Sequence, residues 1–582
     1  MKFREFALFL EKLDSISARN DITQVLADLI NASTVGEIDK VLYLAQGTLA
    51  PNYRGIVFNV AEKMMIEVIS DSYKIDTKEV KEEFKVRGDL GLVSFAHADK
   101  HGSDISVDAL YQTLVAIAND EGEGSQERKI KELSKILLTL DPVSAKYFTR
   151  IPVGKLRLGF SDKTILDALS MALVGDKSLK KKIETVYEYL PDIGLIAKRI
   201  KADGIDTTIE TINPEVGMPI MPMLAQRLNS PDEMIEKMGE IAVEPKFDGV
   251  RVLIHFAKNK DGEKPYVRAF TRNLNDVSPM FPELQKLGEY LNADSVILDS
   301  EGVGIDPKTE KIVDFQKTMQ RRRKKEIGKA SEDIPFRFQL FDIIYVDGKS
   351  LMREEYEKRR EVLSEVIKKN KLFVVDDYTV TDEAEVIRSL HEKLLSEGLE
   401  GVVVKKLHAD YVPGRTGWRW VKMKEVEGTT GKLPDTVDCV VMGYTRGKGK
   451  RADFGIGQFL AGIKDKEKFK SITKVGTGLT DEQLQTLSKR LEKLVVKERP
   501  VEYAEVHTDL VPDFWVRPDV VVELAGDDLT VSTKHKAGYA LRFPRLVRFR
   551  DDKDVAQTTT IGEVKKLFSL QKTRFLDKFD YV

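Results

Sequence analysis

Near residue 215 the hydrophobic period of this chain changes, and that change limits the folds open to it. Before it, apolar residues recur at helical spacing. Phe3, Phe6, Leu10 and Leu13 fall on one face, Leu110, Leu114 and Ile117 on another, and Ile130, Leu133, Ile136, Leu137 and Leu140 on a third. Strand-like alternation is scarce there, so residues 1–215 are expected to form a helical domain, broken at Gly88, Gly102-Ser103, 121–125 and Pro142. From Asp203 to Pro222 the composition turns to Pro, Gly and Thr, which marks a linker. Beyond it, β-branched runs at Val296-Ile297-Leu298, Phe336 to Val346 and Gly401 to Lys405 mix with helical stretches at 353–369 and 382–396, so 216–428 is expected to be α+β. A second boundary at 427–434 precedes short strands and glycine turns, among them Val437 to Tyr444 and Asp519 to Leu524, which predict a small β-barrel over 429–582. Three domains suit a chain of 582 residues without internal repeats.

Composition narrows the function classes. Lys and Arg number 93 against 95 Asp and Glu, a net charge of -2, so a nucleic-acid role requires the cations to be segregated onto one face. The single cysteine, Cys439, lies in an apolar run; it excludes disulfides within the chain and cysteine-rich zinc sites, and is expected to be a buried small hydrophobe. Glu11, Lys12 and Asp14 come too early for a signal peptide, and no run of 18 apolar residues occurs, so the cell interior is expected and a membrane is not. His97 and His101 are four apart but flanked by loop residues, and read as a solvated pair.

Near the middle stands Glu244-Pro245-Lys246-Phe247-Asp248-Gly249-Val250-Arg251, between the apolar run Ile241-Ala242-Val243 and the β-branched run from Val250 to Phe256. Lys246 is therefore expected at a turn between two strands. Gly249 would let a ligand approach the backbone, Asp248 would bond turn amides, and Arg251 would add a second cation. Lys-x-Asp-Gly alone is equally the pattern of a solvated β-turn. Downstream come Thr271-Arg272-Asn273, Asp299-Ser300-Glu301-Gly302, Phe341-Asp342-Ile343-Ile344-Tyr345, Glu400-Gly401-Val402-Val403-Val404-Lys405 and Trp420-Val421-Lys422-Met423-Lys424. Together these supply an amine, cations, separated carboxylates and an aromatic plate, the set that a nucleotide with Mg2+ asks for. Two basic stretches stay open between a phosphate-facing role and an ordinary solvated one: Arg150 to Phe160, leading into a helix start at Ser161-Asp162, and Arg321 to Lys325.

The ordered motifs resemble those of the covalent nucleotidyltransferases, and the whole chain is similar to the ATP-dependent DNA ligases of the archaeal and eukaryotic replicative type. The likeness extends to Leu156-Arg157-Leu158-Gly159 and Met221-Pro222-Met223-Leu224-Ala225, and to Lys474 to Leu479 and Leu541 to Lys553 near the C-terminus. It implies a helical DNA-binding domain at 1–215, an adenylation domain at 216–428 and an OB-fold domain at 429–582. It implies nick sealing in replication, repair and recombination, with ATP as AMP donor and Mg2+ as metal, Mn2+ being an alternative. Lys246 would be the nucleophile. A free lysine has a pKa of about 10.4, so such an amine needs neighbouring positive charge or burial. The resemblance places Glu244 at the adenine edge, Arg251 at the ribose or nick, Arg272 on phosphate and Phe341 on the base. Glu301 and Glu400 would bind metal, Lys422 and Lys424 the α-phosphate, and Lys155 and Arg157 DNA. Arg542, Arg545, Arg550, Asp552 and Lys553 would act when the C-terminal domain closes over ATP, with 428–434 as the swivel. The third motif departs from the family by carrying Ser300 where glycine is usual. Nicked duplex DNA is the implied partner of a monomer, with a sliding clamp a further candidate, although Gln571 to Phe575 reads rather as part of a terminal helix. RNA joining and mRNA capping share the central motifs but not the long helical region, and NAD-dependent ligases carry four zinc-binding cysteines. A non-catalytic DNA clamp is the reading of another class, opposed by the intact Lys246, Glu301, Glu400 and Lys422.

Overall fold

The computed structural model describes the chain except at residues 101, 103–104, 157, 259–263, 314–317, 319–333, 415–416, 425–432, 434, 448–454, 478, 527 and 574–582, and the side chains of 570–573. The swivel at 428–434, except Leu433, the basic run 321–325 and Arg157 therefore lie outside the described residues. Two compact units emerge, Met1–Lys424 and Glu425–Val582. Among the described residues no helix is long and apolar enough to cross a membrane.

Among the described residues the first unit opens with thirteen α-helices between Phe3 and Thr211. Helix Phe3–Ser15 buries Phe3, Phe6, Leu10 and Leu13, the stripe set by its spacing. Such a short helix is marginal alone, and each of those side chains contributes about 1.5–3 kcal/mol once removed from water, so packing decides its stability. The expected breaks are helix ends. Gly88 has φ 68° at the end of Thr77–Arg87, and Pro142 opens Pro142–Arg150 behind an Asp141 side chain that accepts from the Val143 and Ser144 amides. Ser161 and Thr164 form a reciprocal cap at the start of Asp162–Val174, as its position predicts.

In this region one open reading is decided at Arg150 and one expectation is corrected at His97. Arg150 does not face a phosphate: its side chain is 7% exposed and ion-paired to Asp14 at 2.9 Å and Asp89 at 2.8 Å. His97 is not half of a solvated histidine pair, because its Nε2 lies 2.7 Å from Glu83 Oε1 and its ring rests 6.0 Å from that of Tyr73. His101 is outside the described residues.

The rest of this unit contains β1 (Gln226–Arg227), β2 (Ile241–Lys246), β3 (Val250–Ala257), β4 (Tyr266–Thr271), β5 (Ser295–Gly304), β6 (Phe336–Val346), β7 (Lys349–Ser350), β8 (Phe373–Val375), β9 (Thr379–Thr381), β10 (Gly401–Lys406) and β11 (Trp420–Met423). One sheet runs β1-β11-β10-β2-β9; the other runs β4-β3-β5-β6-β7, with β8 alongside β6. The alternation of β3 is only partial because both its faces are covered. Val252, Ile254 and Phe256 pack into a core with Leu298 and Phe338, while Leu253 packs with Phe270, Ile297, Tyr411 and Trp420. The first sheet packs Ile241, Val243, Val402 and Val421 against Met234, Met238 and Ile387, which lie on the helices Pro231–Met238 and Ala384–Ser396. Tyr53 and Tyr189 of the helical region share a cluster with Ile220 and Phe270, and the Met221 amide donates to the Glu188 carbonyl at 3.0 Å, so the linker is packed on both sides.

His255 anchors that linker. It is fully buried, its Nδ1 accepts from the Gly217 amide at 3.1 Å, and its ring meets Phe270 edge-on. Burial pushes its pKa from 6.5 down to about 3. The folded form stays neutral while the unfolded chain takes up a proton below pH 6.5, so this stability is complete above 6.5 and drains away as pH falls toward 3. The loss is expected to reach about 2 kcal/mol between pH 6.5 and 5. Urea midpoints across that range check it. His255→Asn, which keeps an acceptor for Gly217, should flatten the dependence. The variant isolates His255 from His391, whose pKa burial also lowers.

The second unit contains β12 (Val437–Arg446), β13 (Ile456–Asp465), β14 (Lys468–Val475), β15 (Val495–Val496), β16 (Phe514–Val516), β17 (Val521–Ala525), β18 (Asp528–Val531), β19 (Tyr539–Arg542) and β20 (Arg545–Phe549). The order β14-β13-β12-β16-β15 is extended by β17 on β12 and β20 on β17, and β18 pairs with β19. Leu487 and Leu491 of helix Asp481–Glu492 pack into the core these strands enclose. Cys439 is buried there, as its apolar run predicts.

Candidate active site

The space between the two sheets of the first unit gathers most of the predicted side chains. β2 ends on Lys246 and β3 resumes at Val250. A Cβ on Gly249 would stand 2.4 Å from the Gly302 carbonyl oxygen, so only glycine lets the turn pass this close to β5. Lys246 pairs with Gly401 across β2 and β10, which puts Glu400 beside it: Lys246 Nζ lies 2.5 Å from Glu400 Oε2, and Lys424 Nζ lies 2.6 Å from the same oxygen. Burial works to raise the Glu400 pKa, but these two ammonium groups prevail and bring it down to about 2. Lys422 feels the reverse. Burial, then Lys246, Lys424 and Arg272, lower its pKa.

Asp248 departs from expectation, because its carboxyl meets Glu400 instead of turn amides; burial, then Glu400, raises its pKa. Glu301 stands opposite Arg251 in the β3–β5 register. Burial lifts its pKa to about 7 against the pull of Lys246 and Arg251. The serine before it stays in register with β3, where Ser300 Oγ donates to the Val252 carbonyl at 2.7 Å and is buried.

Arg251 is fully engaged. Its Nε and one terminal nitrogen grip Asp299 at 2.9 and 2.6 Å, and the other donates to the Met223 carbonyl at 2.6 Å. Its guanidinium carbon lies 5.4 Å from the Phe341 ring centroid and 5.5 Å from that of Trp420. Phe341 owes its placement to an irregularity: Asp299 pairs with Asp342 and Ser300 with Leu340, so Phe341 has no opposite number on β5. Such bulges re-aim side chains. Glu244 lies beneath the open surface, 2% exposed, paired with Lys405 at 2.6 Å and accepting from the Tyr356 hydroxyl.

The remaining predicted residues lie elsewhere. Lys155, in the helical region, stands 4.0 Å from Glu62 and is 41% exposed. In the second unit Arg550 is held by Asp438 at 3.0 Å and Asp552 at 2.8 Å, and Lys553 by Asp438 at 2.6 Å. They border a cavity of about 390 Å³ that also takes in Arg490 and Lys493. Arg542 is exposed, its guanidinium 5.4 Å from the Phe543 ring. Sequence reasoning gave no role to Asp299, Tyr356, Arg360 or Lys405. For Asp299 a signal existed, since it stands two residues before Glu301 on one strand face, and for Lys405 its place at the end of the Glu400 motif; for Tyr356 and Arg360 none did.

Among the described residues no three His, Cys, Asp or Glu are arranged to hold an ion by themselves. Glu301 and Glu400 are hard oxygen donors, and no ion pair to Glu301 is seen among the described residues. A magnesium ion that keeps waters and substrate phosphate oxygens in its shell fits such a pair.

Comparison with known proteins matches this layout from end to end. Residues 2–170 match the DNA ligase N terminus, 222–424 the ATP dependent DNA ligase domain, and 452–553 the ATP dependent DNA ligase C terminal region. A protein of Dictyoglomus turgidum named "Probable DNA ligase" is 37% identical over 583 residues, covering 98% of each chain. The DNA ligase of Saccharolobus solfataricus is 35% identical over 605 residues, covering 99% of each. A solved structure described as Pmar-Lig_PreS3 aligns with 94% of this chain and 99% of its own at a TM-score of 0.54 and 16% identity, a likeness of fold. Sharing all three segments, and identity above one third along nearly its whole length with these relatives, this chain belongs to the ATP-dependent DNA ligase family.

Proposed function

We propose that this chain seals nicks between a 5′-phosphate and a 3′-hydroxyl in duplex DNA, through AMP carried first on Lys246 and then on the DNA 5′ end. The observation that supports it is the ion-paired cluster of Lys246, Glu400 and Lys424 at the ends of β2, β10 and β11, with Lys422 on the same strand as Trp420, whose ring lies 6.0 Å from that of Phe341. In the first step Lys246 Nζ forms a bond to the α-phosphorus of ATP and the bond to pyrophosphate breaks. Lys422, Lys424 and Arg272 hold the phosphate charge, which grows more concentrated as the bond forms. The 5′-phosphate of the nick then takes AMP from the lysine, and the 3′-hydroxyl displaces AMP to close the strand. Mg2+ or Mn2+, held by Glu301 and Glu400, would supply charge neutralisation at the phosphates. Phe341 stacks on the base. Arg251, with its nitrogens committed to Asp299 and Met223, acts by bracing Phe341 and Trp420 from behind.

In the same reading the chain works as a monomer of three domains, 1–215, 216–428 and an OB-type 429–582, with Lys155 and Arg157 on DNA. Arg542, Arg550 and Lys553 serve the first step, and Asp438 and Asp552 hold the last two cations until phosphate replaces them. The test is incubation with ATP labelled on the α-phosphate and Mg2+, followed by denaturing separation. Label is expected to stay with the protein and to be discharged by nicked DNA. Discharge only by nicked RNA or a diphosphate end, or no labelling, would refute the proposal.

A further inference from the structure

A lysine with no part in the steps above lies beneath the nucleotide pocket. Lys405, on β10, is 1% exposed; its Nζ stands 2.6 Å from Glu244 Oε2 and donates to the Phe341 carbonyl oxygen at 3.2 Å. The same ammonium is 4.3 Å from the Trp420 ring centroid, 4.6 Å from that of Phe341 and 4.8 Å from that of Tyr356. Burying an ammonium is costly unless hydrogen bonds and π faces replace its water, and here they do. β10 belongs to one sheet and β6 to the other. Lys405 therefore ties the two walls of the pocket together where Phe341 leaves the β6 ladder. Its partner Glu244 also accepts from the Tyr356 hydroxyl and faces Arg360 at 3.7 Å, so the carboxylate is gripped from behind.

We propose that Lys405 is a positioning residue for nucleotide choice: by pinning the Glu244 carboxylate and the Phe341 backbone to each other, it fixes the acceptor that selects adenine over guanine. Adenine presents its N6 amino donor where guanine presents the O6 acceptor. A carboxylate held at the back of the pocket accepts from the first and repels the second. Lys405 touches neither base nor phosphate in this account. The inference rests on the pocket reading above, in which Phe341 stacks on the base and Glu244 meets its edge.

The experiment measures the rate of label transfer to the intact chain from ATP and from GTP, each over a range of concentrations, in four proteins: native, Lys405→Met, Glu244→Gln and the double variant. The native chain is expected to prefer ATP. Lys405→Met should lower the ATP-to-GTP ratio of kcat/KM by about tenfold or more, the value of a hydrogen bond to a charged group, mostly through KM for ATP. In the Glu244→Gln background the same change should move the ratio less than about twofold, because its target is gone. The double variant also keeps the test sound if a lone Glu244 unfolds the single one, since it removes both charges. An unchanged ratio in Lys405→Met, an equal loss in both backgrounds, or a fall in kcat with no change in the ratio overturns the proposal. If the native chain takes label from neither nucleotide, the pocket reading itself falls; if it takes label from ATP and Lys405→Met discriminates as well as native, only this inference does.

Discussion

Lys246→Ala is expected to abolish labelling by ATP and nick sealing together, lowering adduct formation by at least about four orders of magnitude, because it removes the amine that forms the bond to phosphorus. Lys246→Arg should be as inactive, since it keeps the charge beside Glu400 and removes the nucleophile. That pair of variants separates two roles. A lysine serving only as a cation among Lys422, Lys424 and Arg272 would be largely replaced by arginine, and recovery of labelling in Lys246→Arg would assign it that role. The fold should be little disturbed, because Glu400 retains Lys424 at 2.6 Å when Lys246 is removed. A third measurement follows: both variants, given DNA whose 5′ end already carries AMP, should still close the nick, because the last step uses the 3′-hydroxyl and not the lysine amine. Failure there, with the fold intact, would place Lys246 in a step other than the first.

The residues that were legible in the sequence are those whose environment is set by near neighbours. The stripe Phe3, Phe6, Leu10 and Leu13 needs only helical spacing, and all four are buried. Lys246 at a turn between strands follows from apolar runs on either side of Gly249, and β2 and β3 end and begin there. Buried cations were not legible. Arg359 and Arg360 look like a solvated helix face and Arg150 like part of a basic loop, yet they are 0%, 2% and 6% exposed. The carboxylates that make such burial tolerable lie on other elements: Asp14 is 136 residues from Arg150 and Asp342 is 17 from Arg359. Lys405 closes the Glu400 motif, but its pairing was hidden for the same reason, Glu244 belonging to another strand. The bulge that frees Phe341 depends on how β5 and β6 slide past each other, and no single strand encodes that. The motifs thus marked out side chains that converge around Lys246, while the groups that hold them in place emerged only from the packing.

Asp342→Ala should destabilise the first unit by about 3–5 kcal/mol, the cost of stranding a buried charge. Asp342 and Arg359 are both fully buried, joined by two hydrogen bonds of 2.7 and 3.0 Å. The guanidinium also donates to the Glu354 and Ala409 carbonyls and lies against the Tyr356 and Tyr411 rings. Removing the carboxylate leaves that cation with no counter-charge at hydrogen-bonding distance. The converse change distinguishes this from simple loss of contacts. Asp342→Leu with Arg359→Met removes both charges and fills the space, and is expected to recover most of the stability, because a buried pair gains little over apolar packing. The functional consequence is separate. Asp342 follows Phe341 at the bulge, so Asp342→Ala should also raise KM for ATP, and the apolar pair, which lacks the tether to helix Tyr356–Val366, should restore stability without restoring KM. Urea midpoints and adduct formation against ATP concentration measure the two effects independently. If stability and KM recover together in the double variant, the bulge is held by packing alone and the ion pair has no part in presenting Phe341.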